Sequence, residues 1–435
     1  MKHAPPDNSG SFRSGQDTRI PLPQQRPAAE TGLAHPLRTL GPGSLQATVR
    51  SLYVHVPFCS HKCHYCDFYS LVDQQNRQDS FTQRLIRELH ALAPFAAGAP
   101  LQTIFVGGGT PSLLRPDLWR QILSAVSRDF DLSDMGSGSG EFTVECNPES
   151  VTPELLDVLA GGGVNRVSMG AQSFRERHLK TLERKHNPEN VARALELARG
   201  AGIRRHSVDL IFGIPGQTLD EWTADLDAAA ALGTEHLSCY NLTYEPGTAM
   251  TARLKRGEFQ PAEEDVEVDM YIRTVERLRR HGFDRYEISN YSKPGAESRH
   301  NLVYWRQGQW LAAGPSASAH VAGWRWKNRP RLDDYLTQDQ AGLPEAIDIE
   351  SPDSGRALHE WAWTGLRLRE GIDADELFKR ASSWSEGAPP RLQALASVLQ
   401  SRGHLVCRGT RWQLSDAGML LADGIAVDVM AAIDG

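Results

Sequence analysis

The stretch Cys59-Ser-His-Lys-Cys63-His-Tyr-Cys66 holds three of the chain's six cysteines. Thiolate is the soft ligand that iron–sulfur clusters and zinc select, so three such groups on one loop can serve a single inorganic centre. A closed structural zinc site wants a fourth ligand. No second CxxC pair supplies it, since Cys146, Cys239 and Cys407 stand singly, although His61 or His64 could complete the set. A cubane cluster on three cysteines leaves one iron open for chemistry, and this matches the spacing better than zinc does.

The elements that must position this loop are legible as a repeat. Short apolar and β-branched runs at 52–58, 103–107, 142–146, 166–170, 207–212 and 236–243 predict six strands. Between them lie segments of helical spacing, such as Phe81, Leu85, Ile86, Leu89 and Leu92. Thr152-Pro153 and Asn187-Pro188 set a cap before a first-turn proline, and Thr218-Leu-Asp-Glu221 fits a capping box. Repeated βα units imply a parallel sheet covered by helices. Six are too many for a five-stranded flavodoxin-like sheet and too few for a closed eightfold barrel. The expected fold class is therefore α/β, an incomplete (β/α)6 TIM-type barrel over residues 49–290.

In such a barrel the site is built beyond the C-terminal ends of the strands. The cysteine loop follows the first strand and Gly107-Gly-Gly-Thr110 the second, with Glu145 and Asn147 after the third. Gln172 and Ser173 follow the fourth strand, Asp209 and Gly213 the fifth, and Asn241 and Thr243 the sixth. Glycine at 107–109 lets backbone approach a ligand closely and leaves amides free for a carboxylate or similar anion. A lone loop-end carboxylate is ordinarily just solvated; the shared rim assigns Glu145 and Asp209 to a site.

Outside the barrel the composition changes. Residues 1–48 are rich in Pro, Gly, Ser, Gln and Arg without apolar periodicity and read as a disordered tail. Residues 291–350 form a cover segment containing Arg299-His-Asn-Leu-Val-Tyr-Trp305, His320 and Trp324-Arg-Trp326. Such aromatics and histidines either seal the barrel or wall a flat apolar ligand such as a porphyrin, with an imidazole for its iron. Residues 351–435 read as helices followed by a hairpin around Arg408-Gly409-Thr410, a winged-helix-like α+β domain. With a net charge of -7 and only Arg402, Arg408 and Arg411 beside many acids, this domain reads as a scaffold and no nucleic-acid partner is expected. No apolar run approaches the ~20 residues that span a bilayer, so no transmembrane segment is expected, while contact with a membrane surface stays open. The absence of a signal-peptide core points to the cytoplasm, where cysteines serve as ligands or core residues.

The motifs Tyr53-Val-His-Val-Pro-Phe-Cys59, Cys63-His-Tyr-Cys66-Asp-Phe68, Gly107-Gly-Gly-Thr-Pro111, Glu145-Cys-Asn-Pro148, Asn165 to Phe174, Asp209-Leu-Ile-Phe-Gly-Ile-Pro215 and His300-Asn-Leu-Val-Tyr-Trp305 together resemble the radical S-adenosylmethionine superfamily. Within it they are most similar to the HemW family of heme chaperones, related to the oxygen-independent coproporphyrinogen III oxidases. The resemblance runs from about Ser51 to Met430. It implies a [4Fe-4S] cluster on Cys59, Cys63 and Cys66, whose open iron is chelated by S-adenosylmethionine. It implies a cofactor site of Tyr53, Tyr65, Gly108, Gly109, Thr110, Glu145, Gln172, Arg184, Asp209 and Thr243. It also implies heme contacts at His300, Tyr304 and Trp305, acceptor hemoproteins as partners, and an electron donor for the cluster. Oxidase-type motifs carry a further cysteine two residues after the third; Phe68 stands there, which favours a heme carrier over an oxidase that would decarboxylate coproporphyrinogen III. The family usually reads Gly-Pro-x-Ala-His near the end of the cover segment, whereas this chain has Ser318 at that position and His320 two residues later.

Overall fold

The computed structural model describes residues 34–45, 48–337 and 342–435. Six parallel strands follow one another in chain order: β1 (Ser51–Val56), β2 (Thr103–Gly108), β3 (Glu141–Cys146), β4 (Arg166–Gln172), β5 (Arg205–Phe212) and β6 (His236–Asn241). Helices return the chain between them, among them Gln78–Leu92, Pro116–Asp129, Pro153–Gly161, Glu189–Gly200 and Leu219–Ala231. The expected starts hold where caps form. Thr152 accepts from the Leu155 amide at 3.2 Å ahead of Pro153, and Thr218 and Glu221 complete a reciprocal capping box.

Three short strands extend the sheet to nine. On the β6 side, β7 (Asp284–Arg285) and β8 (Asn290–Ser292) add antiparallel pairs; on the other side, β9 (Leu311–Ala313) runs parallel to β1. The partial barrel expected from the sequence is thus widened at both edges by strands from the cover segment and the stretch before it. That segment continues into a separate antiparallel sheet of β10 (Ser318–Val321), β11 (Trp324–Asn328) and β12 (Ala346–Glu350). One buried carboxylate pins it to the barrel: Glu88, on helix Gln78–Leu92, accepts from Asn328 Nδ2 at 2.7 Å, the Gly314 amide at 3.0 Å and Tyr335 Oη at 2.6 Å.

Alternation along the strands sorts side chains by chemistry. Val54, Ile104, Val106, Phe142, Val144, Val167, Met169, Val208, Leu210 and Leu237 join the apolar core under the helices. Their neighbours in sequence face the lumen and are largely polar: Tyr53, His55, Thr103, Glu141, Thr143, Glu145, Arg166, Ser168, Ser207, Asp209 and His236. A closed eightfold barrel packs this space with branched aliphatics. Here polar and charged groups line it.

The C-terminal domain carries its own core, from Leu358 to Ile433. Helix Ser354–Leu366, strand β13 (Ile372–Asp373), helices Ala374–Trp384 and Ala388–Ser401, and the hairpin β14 (Leu405–Arg408) and β15 (Arg411–Leu414) follow in the element order of a winged helix. The expected two-stranded wing gains β13 as a third strand. The expected tail at residues 1–48 falls mostly outside the described residues, and one part of it is corrected. Pro36–Leu40 is helical, Leu37 is buried in the main core, and His35 packs edge-on to Trp326.

Candidate functional site

The cysteine loop leaves β1 at its C-terminal end and is held by the neighbouring rim. Cys59 and Leu71 bracket it through Cys59 N–H to Leu71 C=O at 2.9 Å and Leu71 N–H to Pro57 C=O at 2.8 Å. The glycine run supports it from β2: the Gly109 amide donates to Val56 C=O at 2.8 Å and the Thr110 amide to Phe58 C=O at 2.7 Å. The Gly108 amide donates to Glu145 Oε2 at 3.1 Å. These bonds correct the expectation of an open amide cradle, because the amides of residues 108–110 already have acceptors. Glycine is needed here for close approach. A Cβ at Gly109 would lie 2.7 Å from the Val56 and Phe58 carbonyls, and one at Gly108, where φ is +103°, would lie 2.4 Å from the His55 ring.

All three thiols are free and partly exposed. Cys59 Sγ lies 3.5 Å from Thr110 Oγ1, and Arg184 Nη1 lies 3.7 Å from Cys63 Sγ. Burial pushes the Cys66 thiol up to about 11, so binding a metal there displaces a proton. Among the described residues no three His, Cys, Asp or Glu side chains converge on one ion-sized point. Ligands of a single zinc must converge so, whereas cysteines of a cubane each take a different iron. The completion of a zinc site by His61 or His64 gains no support: His61 faces Glu183, and His64 Nδ1 contacts Arg253 Nη1 at 3.1 Å.

Arg184 is the best sign of an unfilled partner. Nη2 donates to Gly170 C=O at 2.7 Å, which the bulge between Gly170 and Gln172 turns towards it, while Nε is buried with no acceptor. A buried guanidinium N–H without an acceptor is costly and suits an anionic ligand. Gln172, at the same bulge, holds a φ of 64°. Tyr65 packs with Leu182, Ile214 and Met250 beside the loop. Deeper in the lumen Asp209 accepts from Ser168 Oγ at 3.2 Å on both oxygens, and burial raises its carboxyl. Burial, and then the charge of Asp209, push Glu145 up to about 7. Thr243 lies on the loop after β6, two residues past Asn241, and is exposed. Most of the expected cofactor residues therefore share one mouth.

Sequence reasoning missed the floor of the lumen. Arg166, 2% exposed, opens β4 with Nη1 3.4 Å from Thr143 Oγ1, and Glu141 opens β3 with Oε2 3.2 Å from Arg205 Nη1. Glu141 also accepts from Ser298 Oγ and from the amides of Arg299 and His300, capping helix Arg299–Trp305. The available signal was a charged or imidazole residue opening each of β3 to β6, namely Glu141, Arg166, Arg205 and His236, ahead of apolar runs.

His300, expected as a heme contact and candidate iron ligand, sits in the first turn of helix Arg299–Trp305. It is 1% exposed; Nδ1 bonds to Thr103 Oγ1 and Nε2 to Tyr304 Oη, each at 2.8 Å. Burial pushes its imidazole down to about 4. Both ring nitrogens are hydrogen-bonded, and the Nε2 contact orients Tyr304. Trp305 is partly buried on the same helix.

A family model of the radical SAM superfamily matches residues 53–229. A heme chaperone HemW from Mycobacterium tuberculosis (strain ATCC 25618 / H37Rv) is 36% identical over 378 residues, 86% of this chain and 93% of the relative. A heme chaperone HemW from Escherichia coli (strain K12) is 33% identical over 382 residues, 86% and 96% of the two chains. The solved structure of coproporphyrinogen III oxidase (HemN) from Escherichia coli aligns with a TM-score of 0.77 at 21% identity, over 91% of this chain and 93% of that one. At that identity it speaks for the fold alone.

Proposed function

The chain belongs to the HemW family, a branch of the radical SAM superfamily, and on that premise we propose that it binds heme and passes it to acceptor hemoproteins. Membership implies a [4Fe-4S] cluster and S-adenosylmethionine. Cys59, Cys63 and Cys66 hold the cluster in this reading, and Arg184 and Thr110 hold the charged amino acid end of the cofactor. Glu145 and Asp209 face its cationic portion, with Tyr53, Tyr65, Gly108, Gly109, Gln172 and Thr243 shaping the pocket. When bound and reduced, such a cluster supplies one electron to the sulfonium. The observation that carries the cofactor reading is the buried Arg184 Nε, left without an acceptor beside Cys63.

The carrier reading is favoured over coproporphyrinogen oxidation by Phe68. It occupies the position of the oxidase's additional cysteine and is 64% exposed next to the cluster loop. Two measurements test this. Anaerobic reconstitution should load one [4Fe-4S] cluster, read by iron, sulfide and visible absorption, and replacing Cys59, Cys63 and Cys66 together by alanine should abolish it. The loaded protein should bind heme and release it to an apo-hemoprotein, yet leave coproporphyrinogen III unchanged in the presence of S-adenosylmethionine and reductant. Formation of protoporphyrinogen IX would overturn the carrier assignment.

A further inference from the structure

A cavity of about 400 Å³ opens on the β1–β9 flank of the barrel mouth, between the chain after Cys66 and the β10–β11 hairpin. Its walls are the rings of Tyr53, Phe68, Tyr69, Tyr304 and Trp310. Most are held from behind. Tyr304 is bound by His300, Trp310 Nε1 donates to Ser318 C=O at 2.7 Å, and Tyr69 Oη accepts from the Leu332 amide at 2.7 Å. Tyr304 and Trp310 meet edge to face at 4.6 Å. Hydrogen bonds at the rims thus fix the faces, which lowers the ordering cost of binding a flat ligand. Phe68 is the exception, an exposed ring.

Among the described residues two charged side chains line the cavity, Asp67 on the loop and Lys327 on β11. The Lys327 ammonium has no hydrogen-bond or ion-pair partner among the described residues. Aromatic walls with one uncommitted cation at the rim suit a planar macrocycle bearing carboxylates.

Resting on the carrier reading, we propose that this cavity seats one edge of the porphyrin, with Phe68 and Trp310 against the ring and a propionate paired with Lys327. Affinity then comes from ring contact and carboxylate pairing, and His300 holds Tyr304 in place. The site borders the cluster loop yet uses none of the residues assigned to the cofactor except Tyr53.

The test uses the cluster-loaded full chain under anaerobic conditions, titrated with zinc protoporphyrin IX and with its dimethyl ester, both followed by fluorescence. Lys327→Glu should weaken the diacid about tenfold or more and leave the dimethyl ester unchanged. Lys327→Arg should restore the diacid. Trp310→Ala should weaken both ligands, while cluster absorption stays as in the parent. If Lys327→Glu binds the diacid like the parent, or loses diacid and ester alike, the seat is wrong while the carrier reading stands. If the parent chain binds neither zinc porphyrin nor hemin, the carrier reading fails with it.

Discussion

Glu145 is where the lumen's chemistry is most exposed to measurement. Burial and the neighbouring Asp209 raise its carboxyl to about 7, against the single donor at Gly108. Because the folded value lies above the unfolded one, ionisation opposes folding: the neutral form's contribution is present below about 4.5 and is lost as pH rises through 7, up to about 3 kcal/mol. A cationic ligand reverses the preference by favouring the carboxylate. S-adenosylmethionine should therefore bind the cluster-loaded protein more tightly as pH rises from 6 to 8, by several-fold, and Glu145→Gln should flatten that slope in calorimetric titrations. An unchanged slope would put the sulfonium elsewhere. Gly108 is a second residue-scale test. Its φ of +103° and the His55 ring, which would lie 2.4 Å from a Cβ at this position, mean that Gly108→Ala strains the backbone and displaces the ring that bonds Tyr53 and Tyr69. The expected loss is about 2 kcal/mol or more in chemical denaturation, so weaker ligand binding in this variant would report fold damage before any blocked contact.

At the scale of elements, helix Arg299–Trp305 ties the lumen floor to the ligand side. Its first amides and Ser298 rest on Glu141, which is fully buried; burial raises that carboxyl, but Arg166, Arg205 and the two amides outweigh it and hold it below the usual range. That stabilisation is present above about pH 4.5 and falls away as pH drops below it. Glu141→Gln leaves two guanidinium groups short of a counter-charge, and removing one partner of a buried pair costs about 3 kcal/mol or more. Guanidinium chloride unfolding checks this; a loss under about 1 kcal/mol would show that Asp209 and Glu145 already neutralise the arginines. The six βα units were legible because each strand is long enough to show its apolar face and each helix to show its stripe. The strands β7, β8 and β9 are two or three residues each, too short to carry a period, and only their pairing partners define them. The partners of His300 were equally hidden: sequence shows an imidazole beside Tyr304 and Trp305, while Thr103 lies 197 residues away and reaches Nδ1 only through the fold.

At the scale of the whole molecule, the C-terminal domain meets the barrel mainly through charge. Arg279 and Arg285 reach Asp416 at 3.1 and 3.2 Å, Arg369 reaches Asp284 at 2.9 Å, and Arg306 pairs with Glu370 at 3.0 Å. A cavity of about 690 Å³, lined in part by Tyr286, Arg299 and Glu370, separates the two along this line. Partly exposed pairs of this kind contribute about 0–1 kcal/mol each, and the apolar bridge is small, with Tyr271 and Ile288 packing on the C-terminal core. That core is otherwise self-contained, running from Leu358 and Ala362 through Leu392 and Trp412 to Val429 and Ile433. A domain with its own core and a polar boundary folds alone. Residues 352–435 expressed by themselves should unfold cooperatively by circular dichroism, and the loss of Tyr271 and Ile288 should lower their midpoint rather than abolish the transition. A featureless melt would mean that the barrel's edge completes the core, and that the charged boundary conceals an obligate interface.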